Sequence, residues 1–129
     1  MFKDTQTFSG FSVDDLDAAK AFYADTLGLE VEVTEMGGLI LSPGTPRATW
    51  VYVKPNHEPA TFTILNFQVD DVHATVRQLV ERGITFERYP GMDEKQTPDG
   101  VFTGGGPLIA WFTDPAGNIL SVIEHGVSA

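Results

Sequence analysis

An octapeptide occurs twice in this sequence. The segment Phe11–Ala18 (FSVDDLDA) returns 56 positions later as Phe67–Ala74 (FQVDDVHA), and five of the eight positions are identical. In both copies an alternating apolar segment precedes the octapeptide, and an amphipathic segment that ends at glycine follows it. Self-similarity with matching surroundings is typical of a duplicated structural unit. The sequence therefore predicts one domain, residues 1–129, built from two similar repeats of roughly 5–60 and 61–126.

The two halves contain the same order of predicted elements. Alternating apolar residues predict a strand that leads into each aspartate pair, Asp14-Asp15 and Asp70-Asp71, and these aspartates are typical helix caps. Apolar residues at three- and four-residue steps then predict a helix, which ends at Gly28 or Gly83. Turn residues separate three short strands after each helix: Glu30–Thr34, Leu39–Leu41 and Thr49–Val53, then Thr85–Arg88, Leu108–Thr113 and Asn118–Glu124. The predicted fold class is α+β, with the order βαβββ repeated.

Composition excludes several classes of function. The chain carries 8 basic and 18 acidic side chains, a net charge of −10, and no cysteine. This charge repels phosphate backbones and anionic lipids, so we expect no nucleic-acid or membrane partner. A cationic or neutral ligand is compatible with the negative electrostatic potential of the protein. Without cysteine the chain has no disulfide, thiolate nucleophile or Cys-based metal site. The first residues, MFKDTQTF, lack an apolar stretch of signal-peptide length, and we expect a cytoplasmic protein.

Three segments carry a family resemblance: Phe11–Leu29, Phe67–Gly83 and Trp111–Asn118 (WFTDPAGN). Together they resemble the vicinal oxygen chelate superfamily, which includes glyoxalase I, extradiol dioxygenases, fosfomycin resistance enzymes and bleomycin resistance proteins. The resemblance covers nearly the whole chain, but it says little about the reaction, because that scaffold supports both enzymes and binding proteins. It implies two βαβββ repeats that form a curved mixed β-sheet around a cavity. It also implies a homodimer, in which halves of two chains often build each cavity.

In the metal-dependent members of that superfamily, four strand positions supply the ligands. By the resemblance these positions correspond to Phe8, a residue within Trp50–Val53, Ile64 and Ser121. No His, Asp or Glu lies between Leu39 and Asn56, so shifting the alignment does not supply the missing ligand. Apolar side chains and one hydroxyl cannot hold a divalent ion against water. The resemblance therefore implies that the inherited metal site is lost, and we expect no metal and no cofactor.

The same resemblance indicates where a ligand would bind. If the strands curve around a cavity, every second side chain points into it. The predicted ligand-binding residues are aromatic or apolar, with a few hydroxyl and amide groups: Phe8, Trp50, Tyr52, Ile64, Asn66, Trp111 and Ser121. That composition is usual for a small-molecule site. The alternative is that these residues only fill the core, as aromatic strand residues often do.

Other candidate residues have simpler interpretations. The histidines His57, His73 and His125 are predicted to be solvated residues of loops and of a helix surface, and no catalytic residue is predicted. A rearranged site of His57, His125 and Glu124 is the alternative. The glycines of the segment 104–106 are not followed by Lys-Ser or Lys-Thr, so this segment is interpreted as a flexible loop rather than a phosphate loop.

These observations favour a metal-independent protein that sequesters a small molecule. The ligand would be planar or amphipathic, neutral or cationic, such as a natural-product antibiotic, in the manner of the bleomycin-resistance branch. One alternative is an enzyme, either a metal-dependent lyase or dioxygenase with displaced ligands or a metal-free catalyst that uses Tyr or His. A third possibility is a pseudoenzyme that acts as a protein-interaction module.

Overall fold

The computed structural model of the protein describes residues 1–124. Two units follow each other along the chain, Met1–Pro59 and Ala60–Ala129, and are called unit 1 and unit 2 below. Both units combine a small mixed β-sheet with a helix, so the chain has the α+β class that the periodicities predict. Within the described chain, none of the helices has the length and apolar composition needed to cross a membrane.

Unit 1 contains a four-stranded sheet. Its strands are β1 (Ser9–Val13), β2 (Val31–Val33), β3 (Leu39–Leu41) and β4 (Thr49–Val53). They lie in the order β1-β4-β3-β2, with β1 parallel to β4 and the other pairs antiparallel. One face of the sheet packs against the helical segment and supplies the apolar core, which comprises Phe11, Val13, Leu39, Leu41 and Val51 together with Phe22 and Tyr23.

The first helix changes character along its length. Helix α1 (Leu16–Lys20) continues directly into a π-helical turn, Ala21–Thr26, whereas the periodicity predicts one regular helix. A π-helical turn is wider than an α-helical turn and is usually confined to one turn. Within it the adjacent aromatic residues Phe22 and Tyr23 are both buried, with their rings in edge contact at 5.1 Å. Burial of two consecutive bulky residues explains why a strict 3.6-residue pattern is not kept.

Both predicted helix boundaries are present. The Asp15 carboxylate accepts a hydrogen bond from the Ala18 N–H at 3.1 Å. The Asp71 carboxylate does the same for the Ala74 N–H at 3.0 Å, at the start of α2 (Val72–Glu81). These two aspartates are 56 positions apart, and each satisfies a backbone donor that the helix itself leaves free. Gly28 and Gly83 follow the helical segments with positive φ angles of 75° and 92°, as left-handed terminators do.

Unit 2 contains a three-stranded sheet. Its strands are β5 (Thr63–Val69), β6 (Ile109–Thr113) and β7 (Ile119–Glu124), in the order β5-β7-β6. Strands β5 and β7 are parallel, as β1 and β4 are in unit 1, and β6 is antiparallel to β7. The side that faces α2 is apolar and buried, with Val72, Val76, Phe86, Phe112, Leu120 and Val122 in its core.

The prediction of a strand at Thr85–Arg88 is wrong. Among the described residues only two strands follow α2, because a buried glutamine occupies the backbone groups that a strand would pair. The Gln96 amide donates to the carbonyls of Glu87 (3.0 Å) and Gly100 (2.8 Å), and its oxygen accepts from the Tyr89 N–H (3.3 Å). The Glu87 N–H donates to the Trp111 carbonyl of the neighbouring strand at 2.7 Å. One side chain thus replaces part of a sheet ladder.

Candidate ligand-binding surfaces

Unit 1 exposes an aromatic surface on the side of its sheet that faces away from α1. We call this side the open face. Its residues are Gly10, Ser12, Glu32, Ile40, Trp50 and Tyr52. The strand register places these residues on one side, since Gly10 pairs with Trp50, Ser12 with Tyr52, Ile40 with Trp50 and Glu32 with Ile40. Trp50 is 42% exposed and Tyr52 is 53% exposed.

Phe8 extends the open face just before β1. Its ring lies 5.3 Å from the Trp50 ring at a tilt of 36°, and the Phe8 side chain is exposed. Both rings line a cavity of about 310 Å³ that the segment Gln6–Thr7 and the loop residues Thr45, Pro46 and Ala48 complete. Two exposed aromatic rings beside a cavity of this size can hold a small planar molecule.

Gly10 leaves little room for a side chain beside Trp50. A Cβ atom at position 10 would lie 3.1 Å from the Trp50 carbonyl oxygen, which is tighter than ordinary packing. Because glycine has no side chain, β1 places no side chain next to the Trp50 ring where Gly10 and Trp50 pair.

His57 is not the solvated loop residue that the sequence predicts. The Ser12 hydroxyl and His57 Nδ1 lie 2.6 Å apart and share a hydrogen bond whose donor depends on the imidazole tautomer. The ring is half-buried, and Ser12 pairs with Tyr52 in the sheet, so His57 lies at the Tyr52 end of the open face. The two residues are 45 positions apart, and only the folding of the loop after β4 brings them together.

In unit 2 the predicted residues Asn66, Ser121 and Trp111 form one row across the three strands. Register pairs Asn66 with Ser121 and Ser121 with Trp111. The buried Ser121 hydroxyl donates to the Asn66 side-chain oxygen at 2.5 Å. Ile64 is the extra residue of a β-bulge between Thr63 and Leu65, so it has no partner in the register of β7.

Trp111 differs from Trp50 in its exposure. Only 9% of Trp111 is exposed, and its ring contacts Tyr89 at 5.3 Å in edge geometry and Phe102 at 6.1 Å. It therefore belongs to an aromatic cluster and is much less exposed than Trp50, and its contact with a ligand stays a prediction. The sequence could not reveal this difference, because the covering residues come from the segment between α2 and β6.

Tyr89 lies beside Trp111 in the aromatic cluster of unit 2. Its hydroxyl oxygen is buried and has no hydrogen-bond partner in residues 1–124. Burial, and to a lesser extent the nearby Glu87 carboxylate, raise the pKa of the Tyr89 phenol above its usual value. No sequence signal marks this residue, because its environment depends on Trp111.

A second cavity, of about 400 Å³, lies in unit 2 near the end of α2. Val80, Ile84 and Phe86 give it apolar walls, and Arg88 and the turn Pro98–Gly100 complete it. The Arg88 guanidinium donates to the carbonyls of Thr97, Asp93 and Gln96, so it stabilises the loop between α2 and β6. None of the predicted ligand-binding residues lines this cavity.

The residues at the inherited ligand positions do not fit a metal ion. Phe8 and Ile64 carry no donor atom, and the Ser121 hydroxyl is bonded to Asn66. In residues 1–124 no three His, Asp or Glu side chains lie close enough together to hold a metal. In the alternative set, the Glu124 carboxylate instead accepts from the Val72 N–H at 3.1 Å and caps α2, and His125 lies outside the described residues.

A comparison with family models identifies the class of protein. The model of the Glyoxalase/Bleomycin resistance protein/Dioxygenase superfamily matches residues 7–122. The chain therefore belongs to this superfamily, and both the predicted family and the predicted α+β fold are confirmed. A comparison with curated protein sequences found no match.

Several solved structures have the same fold. TnmS3, an antibiotic binding protein from Streptomyces sp. CB03234, is 25% identical with a TM-score of 0.68, over 96% of this chain and 98% of that chain. A glyoxalase/bleomycin resistance protein from the same organism is 27% identical with a TM-score of 0.59, over 91% and 99%. A superfamily member from Sphaerobacter thermophilus DSM 20745 is 23% identical with a TM-score of 0.68, over 97% and 100%.

Proposed function

We propose that this protein binds and sequesters a small aromatic or amphipathic molecule without a metal ion. The observation that carries the proposal is the pair of exposed rings, Phe8 and Trp50, beside a cavity of about 310 Å³. Exposed large aromatic side chains that cluster on one face usually mark a binding surface. The similarity to TnmS3, which is named as an antibiotic binding protein, supports a natural-product ligand.

In unit 1, Phe8, Trp50 and Tyr52 stack on the ligand. In unit 2, the row that contains Asn66, Ser121 and Trp111, together with Ile64, is a separate candidate for polar and apolar contacts with a ligand. The net charge of −10 raises the local concentration of a cationic ligand. Binding alone protects the cell, and a symmetric homodimer, expected from the family, completes the site. Sedimentation of the purified protein tests the dimer.

A thermal-shift screen tests ligand binding. The panel contains intercalating and glycopeptide-type antibiotics together with Zn²⁺, Mn²⁺ and Ni²⁺ salts. A ligand present at about 100 times its Kd adds about 2.7 kcal/mol to the free energy of unfolding and raises Tm. We expect a planar antibiotic to raise Tm of the parent and to have no effect on Trp50→Ala. Met36→Ala, which removes an exposed apolar side chain from the turn after β2, should respond like the parent.

Trp50 is a better test residue than Trp111. Truncation of the buried Trp111 is expected to cost about 3–5 kcal/mol of stability, so a lost ligand response would be ambiguous. The exposed Trp50 can be truncated at a much lower cost. If Trp50→Ala binds every antibiotic as the parent does, the proposed site is wrong.

The rival function, a metal-dependent enzyme, makes a different prediction. One tightly bound divalent ion per chain, removable by a chelator and needed for turnover, would overturn the metal-independent proposal. The third candidate, a protein-interaction module, would be favoured by the failure of all small molecules to raise Tm, together with a specific protein partner.

A further inference from the structure

We propose that Glu32 selects cationic aromatic ligands, by pairing its carboxylate with a positive group on a molecule whose ring stacks on Trp50. This inference rests on the proposed function, since it concerns the same open face, and it assigns the ligand class and one residue that recognises it. Glu32 lies on β2, the edge strand of the unit 1 sheet, and had no place in the predicted site.

The strand register gives the geometry. Glu32 pairs with Ile40, Ile40 pairs with Trp50, and Trp50 pairs with Gly10, so the four residues form one row across β2, β3, β4 and β1. Paired residues of neighbouring strands point to the same side of a sheet, so Glu32 and Trp50 share the open face. Two strand spacings separate them, which corresponds to about 9–10 Å.

The row also defines the shape of the ligand. Trp50 offers an exposed ring, Ile40 a half-buried aliphatic side chain, and Glu32 an exposed carboxylate, in that order. A ligand that matches all three has an aromatic ring, a short apolar linker and a cation at the end of the linker. The row contains no basic residue, so an anionic group at the same position would face only the Glu32 carboxylate.

The Glu32 carboxylate is available for this role. Within the described chain it forms neither an ion pair nor a hydrogen bond with another residue. A ligand cation would therefore not have to displace an existing partner. Because Glu32 is exposed, the expected gain is that of a surface ion pair, which corresponds to about a two- to fivefold change in affinity.

A matched pair of fluorescent probes tests the inference. Dansylcadaverine joins a naphthalene ring to an ammonium group through a flexible alkyl chain, and N-acetyl-dansylcadaverine has the same ring and chain without the charge. Dansyl emission rises when the ring leaves water, so titration of each probe with protein yields its Kd. We expect the parent to bind the charged probe more tightly, and Glu32→Gln to weaken this probe about two- to fivefold while leaving the acetylated probe unchanged.

One control separates a specific pair from the general negative field, and a second shows that the preference is electrostatic. Asp25→Asn removes the same charge from the helical segment, which packs against the opposite side of the sheet, and should leave both Kd values unchanged. Raising the salt from 0.15 M to 1 M shortens the screening length from about 8 Å to about 3 Å and should abolish the preference for the charged probe.

The outcomes distinguish this inference from the proposed function. If Trp50→Ala abolishes binding of both probes but Glu32→Gln changes neither Kd, the aromatic site stands and the role of Glu32 is refuted. An equal loss in Asp25→Asn and Glu32→Gln would also refute it. If the parent binds neither probe and Trp50→Ala dissociates a dimer, both proposals fail and the open face belongs to a second copy of the chain.

Discussion

At the scale of single residues, the two tryptophans show what decides whether an aromatic side chain can bind a ligand. Both lie on strands and both alternate onto the face opposite the helix. Trp50 stays exposed because its neighbours in the row are glycine and one aliphatic residue, whereas Trp111 is covered by Tyr89 and Phe102. Alternation fixes which way a side chain points, but contacts from distant segments fix whether it is accessible.

Tyr89→Phe is expected to increase stability. The substitution removes a buried hydroxyl that lacks a partner in residues 1–124, and such a group costs about 1–3 kcal/mol. The free energy of unfolding at pH 7, measured by urea denaturation, should therefore rise by about 1 kcal/mol. A clear loss of stability would show that the hydroxyl is bonded in solution.

The same substitution should change the response of stability to high pH. The folded-state pKa of Tyr89 is raised, so the unfolded chain releases the phenolic proton first as the pH passes about 10. The stability contribution of the neutral phenol is complete below that pH and is lost as the pH rises towards the folded-state pKa. Urea midpoints at pH 9 and pH 11 should differ less in Tyr89→Phe than in the parent. Equal differences would contradict the raised pKa.

At the level of elements, the two halves differ after their helices, outside the repeated octapeptide. The octapeptides produce matching strand ends and matching aspartate caps. After the helices, unit 1 forms the short strand β2, whereas the corresponding part of unit 2 is organised by Gln96 and Arg88. A strand needs a neighbouring strand to pair with, and local propensity cannot show that a side-chain amide takes that place.

Gln96→Ala tests whether this amide replaces a strand. It would leave the buried carbonyl of Gly100 and the groups of Glu87 and Tyr89 without their partner, at an expected cost of about 1–3 kcal/mol in urea denaturation. Gln78→Ala, a matched change at an exposed position of α2, should stay within about 0.5 kcal/mol of the parent. Equal effects of the two changes would mean that Gln96 does not organise the loop.

At the scale of the whole molecule, charge limits the range of partners. The net charge of −10 and sequence pI of about 4.4 create a negative field around a fold that supports both enzymes and binding proteins. Family membership therefore defines the scaffold, and the side chains on the open face define the candidate ligand. The cationic group that we propose for this ligand has the sign that this field attracts.

Duplex DNA offers a direct test of whether the negative charge of the protein excludes nucleic acid. We expect no change in the fluorescence anisotropy of a labelled duplex at 0.15 M salt, even at protein concentrations of about 100 µM, which would detect ordinary non-specific binding. Saturable binding that weakens as salt is added would contradict the exclusion of nucleic acid, because it would require a basic patch.

Local sequence patterns were enough to predict the family, the α+β class, the helix caps and the side of the sheet on which Trp50 and Asn66 lie. These features depend on local periods and on short motifs, and each is encoded within a few neighbouring residues. Four features became visible only in the folded chain: Trp111 is covered, His57 bonds to Ser12, Gln96 replaces a strand, and Glu32 aligns with Trp50. These features join residues far apart in the chain, so their formation depends on how loops close and strands pair, which no local pattern records.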